Sequence, residues 1–114
     1  MARFTAQTIF GRPVEVDDAE VVGSTGDYAV HRALDDRSLW AVSHMPSGRT
    51  CLFGVCRAVA LEACVEFDRV LGLRLRGVRK SSHLAPDVRA EGKEIMERFR
   101  AKDDELRGTE GRCR

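Results

Sequence analysis

His31, Ser43, His44 and Ser47 lie close together along the chain, and with Trp40 they are the side chains best suited to chemistry or recognition. Nucleophilic catalysis would need a serine hydroxyl facing a histidine and a carboxylate orienting the ring from behind. The local pattern predicts a hairpin with His31, His44 and Trp40 on one face, while Ser43, adjacent to His44, points the other way. The nearest acids, Asp35 and Asp36, fall at the far turn. No nucleophile elbow, phosphate-binding loop, HExxH or paired-carboxylate spacing occurs, so no enzyme is expected. If its face is open, Trp40 beside His44 makes a binding anchor, because interface hot spots favour Trp, Tyr and Arg. If the face is covered, Trp40 is core.

The cysteines, at 51, 56, 64 and 113, contain no Cys-x2-Cys pair, which argues against zinc. Reduced thiols are expected, three of them in the most apolar stretch, where a thiol behaves as a small hydrophobe. No metal or cofactor is called for. The clearest charge feature is the run 69–80, with Arg69, Arg74, Arg76, Arg79 and Lys80 and no acid. Residues 1–56 hold five basic against seven acidic side chains, a net −2. Such a run can face nucleic acid or an acidic protein surface. It can equally be a solvated strip whose arginines pair with acids of a following helix. No aromatic interleaves it, which disfavours base stacking.

The elements that must position these groups follow from periodicity. Phe4–Phe10 reads as a strand stopped by Gly11-Arg12-Pro13, and 14–22 as an acidic, irregular stretch. Tyr28–Leu34 and Leu39–Met45 form the hairpin around Asp35-Asp36-Arg37-Ser38. Its predicted register sets Ala33 opposite Trp40, His31 opposite Val42 and Ala29 opposite His44, with the Tyr28, Val30, Leu34 and Met45 face toward the core. A loop one residue different would exchange the faces. Thr50–Phe53 can return as a fourth strand.

From Val55 the period changes to 3.6, and Val55, Val59, Ala63, Phe67 and Leu71 predict a helix over 55–71 ending at Gly72. Leu73–Lys80 suits an extended segment. A second helix over 86–107 begins at Pro86 and carries Val88, Ile95, Phe99 and Leu106 on a narrow stripe interrupted by Gly92. Glu94–Arg98 and Asp103–Arg107 are spaced to pair along it. Its length predicts that part of it projects or meets another subunit, with Phe99 anchoring a contact beyond its own sheet, for instance in a homodimer. The alternative packs Phe99 on the 55–71 helix.

At 114 residues the chain suits one domain, 1–108 with a tail over 109–114, and is far too short for a (β/α)₈ barrel of ~250 residues. With 43% apolar and 32% charged residues it can fill a modest core, and its net charge of +1 advertises no polyanion partner for the chain as a whole. Residues 1–7 lack the apolar core of a signal peptide, and no stretch reaches the ~20 residues of a membrane span, so a cytoplasmic protein without membrane contact is expected. The expected class is α+β, a three- or four-stranded antiparallel sheet packed by one helix, plus a long C-terminal helix.

Trp40-Ala41-Val42-Ser43-His44-Met45-Pro46-Ser47-Gly48, followed by a short strand and an Ala-rich helix, resembles small phage and mobile-element α+β proteins of the anti-CRISPR inhibitor type. The resemblance spans about forty residues, from the hairpin through the first helix. It implies a non-enzymatic inhibitor that occupies a surface of a host protein or nucleoprotein complex, and it transfers no catalytic residues. The expected partner-binding residues are Arg74, Arg76, Arg79, Lys80, Phe99, Trp40 and His44. A small nucleic-acid-binding module using 69–80 is the alternative.

Overall fold

A computed structural model describes residues 2–7, 12–34, 36–75 and 85–108, the last two without their side chains. Five strands run in chain order through one antiparallel sheet: β1 (Ala2–Ala6), β2 (Val14–Val21), β3 (Tyr28–Arg32), β4 (Trp40–His44) and β5 (Arg49–Val55). Two helices follow, α1 (Arg57–Leu71) and α2 (Pro86–Gly108). The chain is therefore α+β as expected, with more strands than expected and both helices packed. Residues 8–10 of the predicted first strand, 76–84, and the predicted tail 109–114 lie outside the described residues.

The strand missing from the sequence reading is β2. Its buried residues, Val16 and Ala19, are three apart and break the alternation expected of a half-buried strand. The pairing explains this. Ala2 faces Ala19 but Phe4 faces Val16, a shift that lets both turn inward. β5 carries two such shifts. Gly54 is the extra residue between the Trp40–Val55 and Ala41–Phe53 pairs, and it takes the positive φ of 74° that glycine tolerates.

The β3–β4 register differs by one residue from the prediction. Tyr28 pairs with His44, Val30 with Val42 and Arg32 with Trp40. Tyr28, Val30, Trp40, Val42 and His44 therefore share a face, and His31 moves to the opposite one with Ser43 and Ala29. The first face meets the helices in the main core, with Leu52, Val59, Ala63, Phe67, Val88 and Ile95. The second is covered by the coiled β1–β2 pair through a smaller cluster of Phe4, Ala6, Val16, Ala19 and Ala29. The Gln7 N–H donates to the Gly48 carbonyl at 2.7 Å, joining the end of β1 to the β4–β5 turn. A Cβ on Gly48 would lie 2.4 Å from the Thr5 carbonyl, so the closure requires glycine there.

α1 buries the stripe read from its sequence. Its end differs from the predicted glycine stop: Gly72 stays right-handed, and its missing side chain makes room for Thr25 and the Asp68 carbonyl. Leu73–Leu75 continue as a turn instead of an extended segment, the Leu75 N–H donating to the Leu71 carbonyl. The loop before β3 is clasped by Asp68, whose carboxylate accepts from the amide and hydroxyl of Ser24 and of Thr25. Burial pushes the Asp68 carboxyl up, but these hydrogen bonds outweigh it and hold the group below the usual carboxylate range.

α2 does not project. Val88 and Ile95 are buried and Phe99 and Leu106 pack half-buried against the main core, because α2 lies along α1 and β5. Its charges also turn inward to the domain: Arg98 pairs with Glu66 at 2.6 Å, and Lys102 pairs with Glu62. Asp103 is buried and accepts from the Cys56 N–H at 2.9 Å. Cys56 precedes α1, which has no side-chain cap of its own and no acid in its first turn. Cys51 and Cys64 are free thiols, but Cys56 departs from the expectation: it is disulfide-bonded, its partner lying outside the described residues.

Candidate functional site

Between the main face of the sheet and the splayed helices lies a cavity of about 360 Å³. Its floor is Tyr28 of β3, His44 of β4, and Arg49 and Cys51 of β5, with Ser47 from the intervening turn. Phe67 and Leu71 of α1 wall one side, and Val88, Arg89, Gly92, Lys93 and Met96 of α2 the other. Leu75 completes it. Gly92 lines the cavity without a side chain to fill it. It interrupts the apolar stripe of α2 where the helix passes Leu71, and a Cβ there would rest at an unstrained 3.6 Å from Leu71 Cδ1.

Tyr28 is fully buried, and its hydroxyl has no hydrogen-bond partner among the described residues. Its ring stacks on Phe67 at 6.1 Å and tilts against His44 at 5.2 Å. Burial, reinforced by the nearby Cys51 and Asp68, pushes the phenol well above its ordinary range, so it stays a hydrogen-bond donor. Buried hydroxyls seldom go unpaired.

His44 Nδ1 lies 2.8 Å from Ser47 Oγ, a contact resembling the start of a nucleophilic dyad. Ser47 Oγ also accepts from the Arg49 N–H at 3.3 Å and donates to the His44 carbonyl at 3.4 Å. The hydroxyl closes the β4–β5 turn. No carboxylate lines the cavity among the described residues, so nothing there would orient a histidine as base. Burial pushes the Cys51 thiol up to about 12, which keeps it protonated and inert as a nucleophile. Among the described residues no group of His, Cys, Asp and Glu is placed to hold a metal ion.

The expected binding residues that are described do not converge. His44 lies in the cavity. Trp40, at the other end of β4, is half-buried with the Arg32 guanidinium 4.6 Å and that of Arg57 5.5 Å from its ring. Arg74 pairs with Asp87 at 2.5 Å and Glu91 at 2.6 Å, and Arg69 pairs with Glu66 at 2.7 Å. Arg74 follows the pairing alternative for the basic run, with acids of the following helix, whereas Arg69 pairs within α1; Arg76, Arg79 and Lys80 lie outside the described residues. Phe99 takes the intramolecular place. The sequence reading missed Tyr28, Arg49, Arg89 and Lys93 as site residues. Its one available signal was Gly92, a gap in an apolar stripe opposite a large-residue face.

Nor does the described helical structure offer a membrane span, since no helix is long and apolar enough to cross one. No protein family, curated protein or solved structure matches the chain.

Proposed function

We propose that this chain is a non-enzymatic binding protein whose ligand is a small molecule held in the cavity between sheet and helices. The observation that carries the reading is the Tyr28 hydroxyl, a buried donor with no partner among the described residues, at the wall of an apolar space. A volume of about 360 Å³ falls within the ~300–1,000 Å³ of small-molecule sites. The absence of a carboxylate from the wall among the described residues and the inert Cys51 thiol support binding over catalysis. Native mass spectrometry of the purified chain against a small-molecule set tests the reading. Adducts are expected with the unaltered chain and lost in Gly92→Leu, whose side chain would fill the space. Adducts of equal intensity in both overturn it.

A second reading, the inhibitor that covers a host protein surface, is favoured by Trp40 between Arg32 and Arg57, residue types that dominate interface hot spots. A specific host protein retained by the unaltered chain and released by Trp40→Ala, with melting unchanged, supports this reading; equal retention by both overturns it.

A further inference from the structure

The charged lining of the cavity is of one sign among the described residues. Arg49 enters from β5 and Arg89 and Lys93 from α2, while no acid lines the wall among the described residues. Arg49 makes no ion pair among the described residues. Lys93 reaches Glu97 only at 3.9 Å, on the exposed side of α2. Much of the remaining lining is hydrocarbon and aromatic: Phe67 and Leu71 from α1, Val88 and Met96 from α2. A neutral apolar guest would leave the Arg49 guanidinium and the Tyr28 hydroxyl unanswered, and a cation would meet like charge. We infer that the ligand is a small amphipathic monocarboxylate, its hydrocarbon part against Phe67, Leu71, Val88 and Met96 and its carboxylate toward Arg49, with the Tyr28 hydroxyl donating to it. The inference rests on the cavity being a ligand site and adds the chemistry of the guest. A guanidinium suits this role because its planar fork matches a carboxylate. The arrangement keeps the polar contacts few, as in sites where a few groups fix orientation within an apolar pocket.

Isothermal titration of the full chain with octanoate, octan-1-ol and octylammonium separates the charge inference from the cavity reading. Octanoate is expected to bind at one molecule per chain, about tenfold or more tighter than octan-1-ol, and octylammonium weakest. Arg49→Gln is expected to bring octanoate down to the level of octan-1-ol while leaving octan-1-ol unchanged. Amide shifts on adding octanoate to the unaltered chain should centre on Tyr28, Cys51, Gly92 and Met96, which locates the site without relying on any variant's folding. Octan-1-ol or octylammonium binding as tightly as octanoate, with shifts at those residues, overturns the carboxylate and leaves the cavity reading standing. Shifts centred elsewhere, or no saturable binding by any of the three, overturn both.

Discussion

Tyr28 and His31 stand three positions apart on β3, both fully buried, and face opposite sides of the sheet. Under the coiled β1–β2 pair, His31 is fully served. Its Nδ1–H donates to the Arg32 carbonyl at 2.8 Å, and its Nε2 accepts from Ser43 Oγ, also at 2.8 Å. Ser43 in turn lies 3.3 Å from Thr50 Oγ1, and Phe4 sits edge-on to the imidazole at 5.5 Å. Under the helices, Tyr28 has a larger core around it and no acceptor for its hydroxyl among the described residues. The same strand thus buries one polar group as structure and another beside a space. Burial and residue type alone do not mark a site. The difference is whether the fold itself completes the hydrogen bonds: it does so for His31, and among the described residues it does not for the Tyr28 hydroxyl.

The comparison can be broken in four places. Phe67→Ala should cost about 3–5 kcal/mol, since it removes the ring stacked on Tyr28 and enlarges an existing cavity that the surroundings have not collapsed to fill. A denaturant midpoint shifted by less than a third of that would mean the helix side is looser than described. Ser43→Ala should cost about 1–3 kcal/mol by leaving His31 Nε2 buried without its donor. Equality with the unaltered chain would show that the closed network is not what stabilises the second face.

The third test is pH. Burial lowers the His31 pKa below its ordinary value, against weaker opposing effects from the Arg32 carbonyl and Asp18. Below the unfolded value of ~6.5 the unfolded chain binds a proton that the folded chain resists, so this group's share of stability is intact above that pH and falls as pH drops toward the folded pKa. Urea unfolding between pH 7 and 5 should show the loss, and His31→Gln should flatten it. Smallest of all, Tyr28→Phe should change stability by no more than about 0.5 kcal/mol or raise it slightly, because the deleted hydroxyl has no partner to lose. A cost as large as that of Ser43→Ala would mean the phenol is already satisfied, and the two faces would cease to differ.

Periodicity made the helices legible: Val59, Ala63, Phe67 and Leu71 repeat at the spacing of a buried helix face, and Val88 and Ile95 identify the inner side of α2. The sheet was less legible because its irregularities erase the two-residue rhythm. The shift between Ala2 and Phe4 hid β2, and the one-residue register difference at the β3–β4 turn put His31 and His44, expected on one face, on opposite faces. Site residues fared worst. Arg49, Arg89 and Lys93 look like ordinary surface cations in the sequence, and only the three-dimensional docking of α2 on β5 brings them around one cavity. The spare stripe of α2 was read as a surface for others because its length exceeded what a four-stranded sheet could cover. β5 and α1 together supply that area.

The hydrogen bond from the Cys56 amide to Asp103 spans 47 positions and bears on the order of assembly during synthesis. A helix of 15 residues without its own cap is marginal alone. Its first turn gains a carboxylate, favourable to the dipole, only when α2 delivers Asp103. At a translation rate of ~5–20 residues per second, about 2–10 s separate the appearance of the donor from that of its acceptor. During that interval the apolar stripe of α1 has no second helix to lie beneath. Force measured on nascent chains stalled at successive lengths should therefore peak only after residue 103 has cleared the ribosome, and a peak before that point would show that α1 and the sheet settle without waiting for the end of the chain.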